Sequence, residues 1–180
     1  MGHRAGGRLS SEIDDVHHEQ RCLMATGTAG SARRPYEEEP GPAEGLRLRP
    51  LPAPSDPAFP LCHDYFEIVY TPLVGPTAVL LARAMARHID AAGGPTTICP
   101  VELALEVGIR ASSTDPLGKK SHLVHAIDRL AHDHVVTRLG DRLLGVRLVI
   151  PALSPRTLAR LPESVRRCHR AFVDDLPQKR

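Results

Sequence analysis

Ten of the chain's 17 prolines fall between positions 35 and 76. No other feature constrains the fold as strongly. A proline has no amide donor, fixes its own φ and restrains the residue before it. The run Pro50-Leu51-Pro52-Ala53-Pro54-Ser55-Asp56-Pro57 therefore predicts neither a helix nor a central strand. Residues 1–57 read as disordered or extended, with a short helix near residues 11–23.

Charge divides along the same line. Residues 1–76 hold 7 basic and 11 acidic residues, and residues 77–180 hold 16 basic and 10 acidic. The whole-chain charge of +2 is thus the sum of an acidic part of −4 and a basic part of +6. Such asymmetry predicts a charged interaction surface in the second part. Aromatic residues make up 3% and tryptophan is absent, so the expected core is aliphatic. So few rings also exclude a stacking platform for single-stranded nucleic acid. No apolar run reaches the ~18 residues of a membrane span. The N-terminal residues 11–20 are polar and acidic, unlike a secretory signal. Cys22, Cys62, Cys99 and Cys168 are scattered, without a C-x-x-C pair. Reduced thiols and a cytoplasmic location are the expectation.

Periodicity orders the second part. Residues 62–73, with Tyr65, Phe66 and Tyr70, predict a short helix or extended segment packed on the domain. Gly75-Pro76-Thr77 opens a helix whose Ala78, Leu81, Ala82, Met85 and Ile89 recur at three- and four-residue steps. Gly93-Gly94-Pro95 stops it. A second, two-turn helix starts at Pro100 and buries Leu103, Ala104 and Val107. A third is expected from Lys119 to His134, with Leu123, Ile127, Leu130 and His134 on its buried stripe. Ser121, His125, Asp128, Arg129 and His132 fall opposite, and Lys119, Lys120 and His122 lie at its entrance. A strand over 135–139, the turn Gly140-Asp141 and a strand over 144–150 predict a hairpin. Ser154-Pro155 caps a helix start. A last helix over 163–173 turns Val165, Cys168 and Phe172 (or Val173) inward.

Helix, short helix, longer helix, hairpin, helix is the order of a winged helix-turn-helix. The expected fold is mainly α with a small two-stranded β-wing. It comprises a disordered acidic, Pro-rich arm at 1–61, the winged-helix domain at 62–175 and a frayed tail at 176–180. Three pieces also resemble a family of small, uncharacterised actinobacterial winged-helix proteins. These are Leu73 to Arg83, then Val107-Gly108-Ile109 with Ser121 to Leu130, then Pro151 to Val165. The resemblance runs from about residue 65 to 172, roughly 60% of the chain. Family members carry a more aromatic or arginine-rich segment where this chain has His132-Asp133-His134-Val135-Val136. The resemblance implies the winged-helix fold and transfers no ligand or target.

The expected function is DNA-binding transcriptional regulation, with double-stranded DNA as partner. Lys119, Lys120, Ser121, His122, His125 and Arg129 would meet the groove and its backbone, and Arg138, Arg142 and Arg147 would act from the wing. A winged helix that binds protein instead of DNA is the alternative. The last helix is the candidate surface for a homodimer. Glu37-Glu38-Glu39 is a solvated charge run that would compete with DNA for the basic domain. His122-x-x-His125, with His132, His134, Cys99, Cys168 and His169, raises a metal reading. No cysteine pair or His-Glu-x-x-His pattern anchors it, so no metal or other cofactor is expected. Cys168 lies between Arg167 and His169, which favours a thiolate, yet periodicity turns it inward. Nucleophile-elbow, phosphate-loop and dinucleotide motifs are missing from the sequence, so no catalytic residue is expected.

Overall fold

The computed structural model describes residues 45–54, 57–110 and 116–176. Its first element is a strand, β1, at Leu46–Leu51, well ahead of the boundary expected at Cys62. Leucine and arginine alternate along it, and Leu46 and Leu48 are each 1% exposed. β1 runs antiparallel to β3 (Thr96–Ile98) on one side and parallel to β5 (Leu143–Arg147) on the other. β4 (Val136–Gly140) pairs antiparallel with β5, completing a mixed four-stranded sheet in the order β3-β1-β5-β4.

Pro50 fits inside this strand for a reason of parity. The Arg47 amide donates to the Arg142 carbonyl at 2.8 Å, on the β5 side. Leu48 and Pro50 therefore turn their amide positions toward β3. The register places Thr96, the first residue of β3, opposite Leu48, so Pro50 lies past the end of β3 and its missing donor has no partner there to disappoint. The expected arm is thus partly core. Residues 1–44, with the Glu37 to Glu39 run and the short helix expected near 11–23, lie outside the described residues, as do 177–180.

A second, two-stranded sheet joins β2 (Ala58–Pro60) to β6 (Val149–Pro151), with buried Phe59 opposite buried Ile150. The strand expected over 144–150 is therefore two strands that break at Leu148 and serve different sheets. The β-structure is larger than a two-stranded wing. About half of the described residues are helical, and no described helix is long and apolar enough to cross a membrane.

The helices follow the periodicity closely. A π-helical turn at Phe66–Tyr70 leads into α1 (Thr71–Val74), and α2 spans Pro76–Ala92. α3 covers Pro100–Glu106, and α4 covers His122–His132. α4 starts three residues later than expected, because Ser121 is its cap and Lys119 and Lys120 precede it in a turn. It also ends sooner. His134, expected on the buried stripe, is exposed in a left-handed conformation at φ 58, which sends Val135 and Val136 inward instead.

α5 (Pro155–Leu158) starts at Ser154, whose Oγ accepts the Thr157 amide at 3.3 Å. α6 spans Glu163–Asp174. Val165, Phe172 and Val173 pack on the core, but the buried place between them belongs to His169, with Cys168 half-buried at the edge. The apolar stripe of α6 is thus covered by its own chain.

An aliphatic seam forms where α2 packs on α4, through Leu81, Met85 and Ile89 with Leu123, Ile127 and Leu130. The core is not aliphatic throughout, however. All five described aromatic side chains gather in one cluster. Phe59 stacks on Tyr65 with centroids 3.8 Å apart, Phe172 meets Tyr65 edge-on at 5.8 Å, and Tyr70 links Tyr65 to Phe66. Scarcity in the composition became concentration at one place.

Candidate nucleic-acid interface

The site is built from α4 outward. Ser121 Oγ accepts the Leu123 amide at 3.2 Å, so this hydroxyl serves the helix cap. Helical steps then aim Leu123, Ala126, Ile127 and Leu130 into the core and leave His122, His125, Asp128, Arg129 and His132 exposed. The most outward positions are His125, Asp128 and His132. Arg129 and His122 lie on the flank that faces the start of α2. Lys119 and Lys120 are exposed just ahead of the helix.

Arg129 crosses to the entry of α2. A Cβ added at Gly75 would stand 2.9 Å from Arg129 Nη1, and Gly75 itself has φ +84. The positive φ favours glycine there, whereas the Arg129 tip could move aside for a Cβ. On one side of this crossing is a groove of about 470 Å³, bordered by Thr77, Ala78, the chain from Val107 to Arg110, and α4. Among the described residues, its charged or titratable lining is Arg110, His122, His125 and Arg129, with no carboxylate. On the other side is a groove of about 650 Å³ that Asp128, Asp133 and His132 line along with His125 and Arg129.

Arg110 was not among the residues expected from sequence. It arrives because Gly108, at φ +73, ends α3, while the Ile109 amide returns to the Ala104 carbonyl at 2.8 Å. A glycine two residues ahead of an arginine, between two helices, was the available signal. Glu106, the last carboxylate of α3, is engaged with α2. It lies 2.5 Å from Arg87 and 2.8 Å from His88 Nε2, and these bonds hold its carboxyl below the usual range.

The expected wing contacts divide. Arg138 Nη2 bonds Asp128 Oδ1 at 2.7 Å, tying β4 to α4. The carboxylate that would repel a phosphate is thus neutralised by an arginine of β4. Arg147 Nε donates to the His134 carbonyl at 2.9 Å and braces the turn after α4. Arg142 is exposed at the hairpin tip. The structure therefore gathers His122, His125 and Arg129 with Arg110, keeps Lys119 and Lys120 nearby in sequence, and commits Ser121, Arg138 and Arg147 to the chain itself.

Among the described residues no three His, Cys, Asp or Glu side chains converge as a metal-ligand set. His169 is occupied differently: its Nδ1 lies 2.9 Å from the Tyr65 hydroxyl. Comparison of the chain with protein-family models, with curated proteins and with solved structures finds no match.

Proposed function

We propose that this chain binds duplex DNA as a winged-helix unit and acts in transcriptional regulation. The element order supports this reading: α2, β3, α3, α4 and the β4–β5 hairpin succeed one another as helix, strand, helix, helix and wing. In this reading α4 enters the major groove and Arg142 meets the backbone from the hairpin tip. The observation that carries it is the exposed run Lys119, Lys120, His122, His125 and Arg129, joined from α3's exit by Arg110. Neutralisation of phosphates by such groups releases counterions and makes affinity depend on salt.

A protein-binding winged helix is the second reading. Asp128 favours it, because this carboxylate holds one of the most outward positions of α4 and engages Arg138 at 2.7 Å. A polarisation titration with random-sequence duplex separates the two. The DNA reading expects binding at about 50 mM salt that weakens at least tenfold by about 200 mM. Undetectable binding at the lower salt would leave the protein-interaction reading.

A further inference from the structure

We infer that the groove between α4 and the start of α2 is a seat for a phosphate group, presented by a nucleic-acid backbone or by a small phosphorylated molecule. This goes beyond the DNA reading, since it needs no base contact and no helix in a major groove. Its basis is the contrast between two grooves that share His125 and Arg129. The larger carries Asp128 and Asp133 on its wall. The smaller, of about 470 Å³, carries Arg110, His122, His125 and Arg129 and, among the described residues, no carboxylate.

None of these four side chains has a hydrogen bond or ion pair with another described residue. Three arginines elsewhere on the same body are paired instead. Arg83 pairs with Glu67, Arg87 with Glu106 and Arg138 with Asp128, at 2.5 to 2.7 Å. Two guanidinium groups that border one space with no described counter-charge repel each other, and an anion between them reverses that sign. The planar guanidinium fork matches phosphate oxygens, and imidazole N–H groups and the Thr77 hydroxyl add further donors. Ala78, Val107, Ile109 and Ala126 supply apolar wall, which strengthens charged contacts beside it. The volume falls within the ~300–1,000 Å³ of small-molecule sites, enough for a phosphoester rather than a bare ion.

The test is an amide NMR titration of the isotope-labelled full chain with inorganic pyrophosphate at low salt. Saturable shifts should centre on Thr77, Ala78, Arg110 and His122 to Arg129. Arg110→Gln with Arg129→Gln should weaken the Kd roughly tenfold or more, because charge-assisted bonds are lost. Arg156→Gln with Arg160→Gln removes the same charge from exposed positions around α5 and should leave the Kd unchanged. Unliganded spectra report whether each variant is folded, and Arg129→Lys, which keeps the charge, should retain partial binding. Equal weakening by the groove and control pairs would overturn the inference. So would the lack of a saturable shift up to about 10 mM, roughly ten times a Kd of about 1 mM.

A duplex titration of the same proteins identifies the source of the phosphate. Competition between pyrophosphate and duplex, with both lost in the groove pair, assigns it to the nucleic-acid backbone. Pyrophosphate binding lost while duplex binding stays assigns it to a small phosphorylated molecule. Saturable pyrophosphate shifts with no duplex binding in any chain would defeat the DNA reading and leave the phosphate seat standing.

Discussion

The Tyr65 hydroxyl lies 2.9 Å from Nδ1 of His169, and both side chains are buried where α6 docks on the aromatic cluster. The same hydroxyl accepts the Leu153 amide at 2.8 Å. Its own hydrogen is therefore free to donate to Nδ1, which requires a neutral imidazole with its proton on Nε2. Burial, and then the charge of Arg170, hold the His169 pKa below its ordinary 6.5. Burial likewise pushes the Tyr65 phenol up to about 12, so it stays a donor. A lowered histidine pKa means that the unfolded chain binds the proton more tightly. This contribution to stability is complete above the ordinary imidazole range and is lost as pH falls through 6.5 toward the folded value.

Urea unfolding at about pH 7.5 and about pH 5.5 brackets that window. The wild-type chain should be less stable at the lower pH, and His169→Gln, which keeps an acceptor but does not titrate, should show a smaller difference. An unchanged difference would remove His169 as its source. Tyr65→Phe strands the Leu153 amide and Nδ1 together and should cost about 1–3 kcal/mol near neutral pH.

His134 offers a prediction of the opposite sign. It follows α4 with φ 58, the left-handed conformation that a side chain resists. The Val135 amide returns to the Leu130 carbonyl at 2.9 Å and the His134 amide to Ala131 at 3.2 Å, the bonds of a Schellman stop. Glycine takes this position without the steric penalty, partly offset by its greater freedom when unfolded. His134→Gly should raise stability by about 0.5–1 kcal/mol, read as a higher urea midpoint with unchanged slope. A lower midpoint would show that the His134 side chain contributes more than its strained backbone takes away.

What could be read from the sequence was local. The stripe Ala78, Leu81, Met85 and Ile89 repeats within one helix, and the Ser154-Pro155 start needs only its own residues. β1 failed that criterion. Its alternation Leu46-Arg47-Leu48-Arg49 is a strand pattern, but Pro50 and Pro52 spoke against a central strand, and its parallel partner β5 lies nearly a hundred residues away. The candidate groove was half legible. Helical spacing groups His122, His125 and Arg129, whereas Arg110 joins them only through the turn at Gly108, and Arg138 is withdrawn by a carboxylate ten positions earlier.

Because β1 lies inside the sheet, the N-terminal boundary has a measurable consequence. Leu48 is 1% exposed between β3 and β5, so Leu48→Ala should cost about 2–5 kcal/mol in urea unfolding. A chain lacking residues 1–57 loses the strand altogether and should fail to unfold cooperatively. Retention of a sharp transition by that truncated chain would mean that β3 and β5 close the sheet without β1. The same truncation is therefore a poor probe of whether the Glu37 to Glu39 run competes for DNA, since it removes structure along with charge.

Asp128 and Arg138 decide how much positive charge α4 and the hairpin present together. Their bond is 2.7 Å long, with side chains 55% and 41% exposed. An ion pair so open to water contributes little to stability, at most about 1 kcal/mol. Asp128→Asn should therefore leave the fold nearly unchanged while removing a repelling charge and releasing Arg138. Under the DNA reading, duplex affinity at low salt should rise several-fold, and its salt dependence should steepen by about one phosphate contact. Arg138→Gln should move affinity the other way, because it leaves Asp128 unneutralised on the outward stripe. Adding Arg138→Gln to Asp128→Asn should then lose most of the gain, since the released arginine is what makes the new contact. If all three chains bind duplex equally, the outward face of α4 does not meet DNA, and α4 is not the helix that enters the groove.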